Sequence, residues 1–161
     1  MGRIKLYEEF RKINKKDFMV HSLSGIAVVV EDRILLVHPT KFKKETDKWS
    51  IPKGHVEGND SLKSALMELK EESGIDLDDK YDDVIKITYK KSGSFKFMDV
   101  YIYHISKEDV SKYLKNDWEI EEKFYNKEEV FRCKFFKFSS ARNKIELNMI
   151  DIIDHIENFK G

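Results

Sequence analysis

A single cysteine, Cys133, is all the thiol chemistry the chain carries. That excludes an intramolecular disulfide framework and suits a reducing compartment. It sits in Val130 to Phe138 (VFRCKFFKF), an alternating apolar run, where packing rather than reactivity is its expected role. Prolines number only two, and no low-complexity tract or internal repeat is present. No linker is therefore expected, and one domain accounts for all 161 residues. Net charge is also missing, because thirty basic residues cancel thirty acidic ones. A general electrostatic attraction to nucleic acid or to an anionic membrane is not implied. The longest apolar run, Ile26 to Val30, is far too short to span a bilayer. The opening MGRIKLYEEFRKINKK is charged throughout and lacks the apolar centre of a signal peptide. These absences together point to a cytoplasmic domain with neither membrane nor nucleic acid as partner.

What is present alternates between strand and helix patterns. Residues 1–17 read as an N-terminal extension, with Leu6, Phe10 and Ile13 on one side of a short helix from Lys5 to Ile13. Met19 to Val30 and Ile34 to His38 read as two strands joined at Glu31-Asp32-Arg33. A Lys-rich loop, Thr40 to Lys48, leads to a short strand from Trp49 to Ile51 and a turn from Pro52 to His55. Val84 to Lys91 and Phe95 to Ile105 read as a second hairpin about Ser92-Gly93-Ser94. A short helix capped by Ser106, an acidic loop from Lys115 to Glu129, and a strand from Val130 to Phe138 follow. The pattern predicts one continuous helix at the end, Ala141 to Phe159 within residues 139–159, capped by Ser139 or Ser140. Its stripe is Ile145, Met149, Ile152, Ile153 and Ile156.

The chemistry is concentrated between residues 49 and 75. Leu62, Ala65, Leu66 and Leu69 mark an amphipathic helix, Asn59 or Asp60 is its cap, and Gly74 ends it. On a helix of about 3.6 residues per turn, Glu68, Glu71 and Glu72 project as one negative ridge. Adjacent glutamates are ordinarily a solvated face. Here the ridge follows a loop carrying Lys53, Gly54, His55 and Glu57, and a hard divalent cation with oxygen ligands would neutralise it.

Trp49 to Ile75 (WSIPKGHVEGNDSLKSALMELKEESGI) resembles the Nudix box. Glu68, Leu69, Glu71, Glu72, Gly74 and Ile75 match its second half, and Gly54 its opening glycine. The loop is one residue short, so Asn59, with Asp60 beside it, stands where the family has glutamate, and Met67 where it has arginine. The resemblance implies an α/β/α sandwich with a mixed sheet. It also implies metal-dependent hydrolysis of a phosphoanhydride in a nucleoside diphosphate-linked substrate: a nucleoside triphosphate, a dinucleoside polyphosphate or a nucleotide sugar. Magnesium, or manganese, would be held by Glu68, Glu71, Glu72 and the Gly54 carbonyl, with Glu68 or Glu72 as general base. Glu119, Glu121, Glu122 and Glu129 are reserve candidates for that base. Lys53, His55 and Trp49 are the expected substrate contacts, with Lys41, Lys43 and Lys44 as further phosphate contacts and Phe42 and Tyr89 as further stacking surfaces. His38 is expected to end a strand and ligate nothing. The expected partner is a small nucleotide, and the oligomeric state is left open, with a homodimer as one option. The competing reading, which rests on Met67 and Asn59, is a nucleotide-binding or regulatory module with weak or no turnover.

Overall fold

The first strand, β1 (Val20–Val30), is buried on both faces of a sheet. Ile26, Val28 and Val30 enter one apolar cluster, whereas Ala27 and Val29 enter another on the opposite side. A nearly continuous apolar run is what a strand covered on both faces requires. The computed structural model describes residues 20–42, 46–77, 84–90 and 96–158. The expected helix at Lys5 to Ile13, Lys43 and Lys44, and the turn at Ser92 to Ser94 lie outside them.

Five further strands complete the sheet: β2 (Arg33–Pro39), β3 (Lys53–His55), β4 (Ile85–Lys90), β5 (Lys96–His104) and β6 (Val130–Lys137). The order is β4-β5-β1-β2-β6, with β3 also paired to β1. The β1–β5 pair is parallel and the others are antiparallel, so the sheet is mixed. Helix α1 (Ser61–Ser73) covers one face. Helices α3 (Phe138–Lys144) and α4 (Ile150–Asn158) cover the other. A short α2 (Lys107–Val110), capped by Ser106 as expected, joins β5 to the acidic loop. The result is the expected sandwich. Among the described residues, no helix is long and apolar enough to cross a membrane.

Two elements differ from the sequence reading. Lys53 to His55, expected as a turn, is a strand pairing with Leu23 to Gly25 of β1. The reason lies in β1 and β2, whose pairing covers Val29–Ile34 and Val30–Arg33 at the hairpin end. Beyond it the incoming chain is wedged between them. Val37 and Ser50 exchange backbone hydrogen bonds of 2.8 and 2.9 Å, and the Ile26 N–H donates to the Pro52 carbonyl at 3.0 Å. The expected strand at Trp49 to Ile51 is reduced to bridges at Trp49 and Ser50.

The C-terminal helix is also not continuous. It starts at Phe138, is capped by neither Ser139 nor Ser140, and breaks after Lys144. Ile145 forms a parallel bridge with Trp49, the Trp49 N–H donates to the Lys144 carbonyl at 2.8 Å, and the Glu146 N–H to the Trp49 carbonyl at 3.0 Å. Backbone pairing at the sheet margin replaces helical bonds over these residues. A 3-10 turn, Leu147–Met149, then leads into α4.

Candidate active site

Helix α1 presents the acidic ridge because both of its ends are fixed. Asp60 is the N-cap, its carboxylate accepting the Lys63 N–H at 3.0 Å. At the other end Gly74 has φ 82° and donates its N–H to the Lys70 carbonyl at 2.8 Å. Ala65 and Leu69 are buried, Leu62 and Leu66 half-buried. Two buried serines belong to the same face. Ser64 Oγ accepts the Glu57 N–H at 3.1 Å, which ties the preceding loop to the helix. Ser73 Oγ donates to the Leu69 carbonyl at 2.7 Å.

With α1 so placed, Glu68 and Glu72 are half-buried and Glu71 is exposed. Burial first, and then the neighbouring charge of Glu68, push the Glu72 carboxyl up to about 8. Burial, with the charges of Glu71, Glu129 and Glu57, pushes Glu68 up to about 7. Desolvation and like charges act in the same direction on a carboxylate. Opposing them, the Lys53 N–H donates to Glu72 Oε1 at 3.2 Å. Gly54 leaves room for Glu68: a Cβ there would lie 2.2 Å from Glu68 Oε1. Oxygen donors of this kind fit a hard divalent cation. Among the described residues, no three His, Cys, Asp or Glu side chains are drawn together closely enough to hold an ion as they stand.

A cleft of about 260 Å³ opens beside Glu72, lined also by Thr40, Lys41, Lys53 and Glu129. Glu129 is the reserve acid that reaches the site. Its carbonyl accepts the Thr40 N–H at 2.9 Å, which pins the loop before β6 to the end of β2. The other three are engaged elsewhere. Glu119 makes two hydrogen bonds to Arg132, at 2.8 and 3.1 Å, Glu121 lies 3.8 Å from Lys123, and Glu122 pairs with Lys127. Lys53 is half-buried, and its ammonium pKa is lowered by burial and then by the charge of Lys41, while Glu146 and Glu72 oppose the shift.

His55 is exposed on β3, opposite Leu23. The Trp49 indole is 2 % exposed, packs edge-on to Phe136 with ring centroids 4.8 Å apart, and donates to Asp47 at 2.9 Å. It belongs to the core cluster on the face opposite α1. His38 is the last residue but one of β2, buried, with Nε2 2.7 Å from the Thr46 carbonyl. Tyr89 is half-buried against His155, 5.9 Å away. Met67, at the position of the box arginine, is 47 % exposed. Glu57 and Glu146, which act on Glu68 and Lys53, are missing from the sequence-derived set. Glu57 was legible from its place in the loop. Glu146 was not, because its position depends on the helix break.

The class that the fold defines is a mixed sheet sandwiched between helices, with a glutamate ridge packed against a glycine loop. The NUDIX domain model matches residues 21–156. The chain belongs to the Nudix family and is a Nudix pyrophosphohydrolase. Solved structures agree on the fold. The Ap4A hydrolase of C. elegans, in a binary complex, is 18 % identical with TM-score 0.60, over 87 % of this chain and 97 % of that one. A NUDIX hydrolase from Nitrosomonas europaea is 15 % identical with TM-score 0.56, over 86 % and 88 %. A bifunctional NMN adenylyltransferase/ADP ribose pyrophosphatase from Francisella tularensis, complexed with AMP and a Mn ion, is 18 % identical with TM-score 0.61. There the match covers 98 % of this chain and 47 % of that one. No curated protein sequence matches the chain.

Proposed function

We propose that the protein hydrolyses a phosphoanhydride in a nucleoside diphosphate-linked substrate, using magnesium or manganese held by Glu68, Glu71, Glu72 and the Gly54 carbonyl. The observation that carries this reading is the half-buried Glu68 and Glu72 pair, with carboxyls at about 7 and about 8, beside a cleft lined by Lys53. A divalent cation bound there would neutralise phosphate oxygens and bring the pKa of a water toward neutrality. Glu72 is the first choice to accept the proton, because it lines the cleft and its carboxylate is held by a backbone donor. The Lys53 N–H fixes the direction of that carboxylate. Glu68 is the alternative base, and Glu129 the reserve from across the cleft.

Lys53 and Lys41 bring positive charge to an otherwise acidic rim and meet the substrate phosphates. His55, exposed on the same strand as Lys53, is taken as a further contact. The cleft is smaller than pockets that enclose a drug-sized ligand, which suits the phosphate chain more than the whole nucleotide. Dinucleoside polyphosphates and ADP-ribose head the substrate panel, followed by nucleoside triphosphates, because similar structures carry Ap4A hydrolase and ADP ribose pyrophosphatase as their names.

The test is phosphate or nucleotide release from that panel with magnesium or manganese, for wild type and Glu72→Gln. Metal-dependent turnover of one class, reduced at least about a hundredfold in the variant, supports the reading. Binding of metal and nucleotide without turnover of any substrate overturns it in favour of a binding module. The exposure of Met67, where the family carries arginine, is the observation that favours this second reading.

A further inference from the structure

A second cleft, of about 580 Å³, opens at the Pro39 end of β2, and none of the groups assigned to metal or phosphate lines it. Val37 belongs to the core cluster under α1. Side chains alternate along a strand, so His38 lies on the other side of the sheet, with Trp49. Both line this cleft, together with Phe131 and Arg132. The His38 ring centroid is 5.3 Å from that of Trp49 and 5.4 Å from that of the half-buried Phe131. The Arg132 guanidinium stands 5.7 Å from the Trp49 centroid and is held there by its two hydrogen bonds to Glu119.

Three properties of this wall decide what fits it. One is a missing donor. His38 is 5 % exposed, and its Nε2 lies 2.7 Å from the Thr46 carbonyl. A carbonyl oxygen only accepts, so Nε2 carries the ring hydrogen and Nδ1 of the neutral ring is an acceptor. Nδ1 is buried without a hydrogen-bond partner, a state that costs stability and calls for a reason. Another is charge. Asp47 pairs with Lys144, Glu122 with Lys127 and Arg132 with Glu119. Every charged side chain on the wall already faces an opposite charge, which favours an uncharged ligand. The last is size. The volume is about twice that of the cleft at Glu72 and suits an organic group rather than an ion. Ring surfaces, a lone acceptor and balanced charge together fit a flat, uncharged heterocycle that carries an N–H.

We propose that this cleft binds a nucleobase, with His38 Nδ1 accepting an N–H of the base and Phe131 supplying ring surface. The base belongs either to the substrate or to a separate nucleoside. Val37 and Pro39 line the first cleft and His38 the second, and Glu129 and Val130 divide in the same way. A single substrate that fills both clefts therefore passes over the Pro39 end of β2.

Calorimetric titration of the full chain with adenosine and uridine tests the site, beside N6,N6-dimethyladenosine and 3-methyluridine, in which methyl groups replace the base N–H. At least one nucleoside is expected to bind about threefold to tenfold more tightly than its methylated form, the worth of one neutral hydrogen bond. His38→Phe keeps a ring, removes the acceptor and is expected to abolish that preference. Phe131→Ala is expected to weaken binding by at least about fivefold. In 15N-histidine NMR of wild type, the His38 Nδ1 resonance is expected to move with the nucleoside and not with its methylated form. This readout needs no variant, so it decides the matter even if His38→Phe does not fold. Binding of neither nucleoside overturns the proposal. Equal affinity for a nucleoside and its methylated form also overturns it, and so does binding that neither substitution weakens. The source of the base is read from turnover of diadenosine tetraphosphate with magnesium. A nucleoside that raises KM at constant kcat supports the site as the seat of the substrate base. One that binds and leaves KM unchanged supports it as the seat of a separate nucleoside. If nothing is turned over, the hydrolytic reading fails, and the titrations still decide the site.

Discussion

Removing the charge of Glu72 should make the metal-free protein more stable while it destroys the site. The folded chain holds this carboxyl at about 8, against an ordinary value of 4.5. A raised carboxyl binds its proton more tightly in the folded state than in the unfolded one. Its favourable contribution is therefore complete below about 4.5 and is lost as pH rises through about 8. Across that window the slope approaches about 1.4 kcal/mol per pH unit for one proton. Glu68 titrates in the same window and shares the effect, and Glu72 is only half-buried. The part that Glu72→Gln recovers above pH 8 is accordingly about 2 kcal/mol, or about 4–8 °C in Tm for a chain of this size. Glutamine keeps the acceptor oxygen for the Lys53 N–H and has nearly the same shape. The assay is urea and thermal unfolding in EDTA at acidic, neutral and basic pH. Wild type should lose stability as pH rises, the variant should lose less because only Glu68 still titrates across the window, and the two should coincide near pH 5. Magnesium should restore wild type by ligand linkage and the variant much less. A variant no more stable than wild type at the basic end would refute the argument, since the charge would then not be held at a cost.

Three other changes probe the scaffold. Gly74→Ala should cost about 2 kcal/mol or more, read by urea unfolding. The residue has φ 82°, and an added Cβ would sit 2.3 Å from the Phe124 carbonyl oxygen, a backbone atom that cannot swing aside. Glu31→Gly should raise stability by about 1 kcal/mol, measured as a rise in Tm, because Glu31 is exposed and has φ 57°. Cys133 should resist thiol reagents in the native protein and react fully in denaturant. Its thiol is completely buried and its pKa is pushed well up by that burial.

The parts legible in the sequence are those whose signals are local. Helix α1 could be read because Asp60 and Gly74 mark its ends and Ala65 and Leu69 fall at helical spacing. Strand β3 could not. A proline and a glycine within Pro52 to His55 signal a turn to any local rule, whereas its pairing depends on the separation of β1 from β2. The C-terminal break was hidden for a different reason. Ile145, Met149, Ile152, Ile153 and Ile156 keep a helical stripe straight across it, and all five are buried. Competition from the Trp49 backbone interrupts the helix without leaving a mark on the side-chain pattern. Among the reserve acids, Glu129 looks like Glu119, Glu121 and Glu122 in sequence, and its place on the cleft, set by the Thr40 N–H bond to its carbonyl, separates it from them.

The wedge where β1 and β2 part explains why the site is built there. A short strand inserted between them must alternate its side chains across the sheet. Two successive residues, Lys53 and Gly54, thereby serve opposite faces: Gly54 admits Glu68 from α1, and Lys53 enters the side covered by the C-terminal helices. The groups proposed to hold metal and phosphate are thus one residue apart in sequence, with Lys53 and Glu72 lining the same cleft. The same region holds polar groups that folding alone would not leave uncompensated. Ser24, paired in register with Gly54, has a buried hydroxyl without a partner, and so does the Glu146 carboxylate beyond Trp49. Glu68 and Glu72 are likewise held against their own charge. Such local violations of good packing persist where the chemistry uses them. Substitutions that relieve them should therefore stabilise the fold and weaken turnover together.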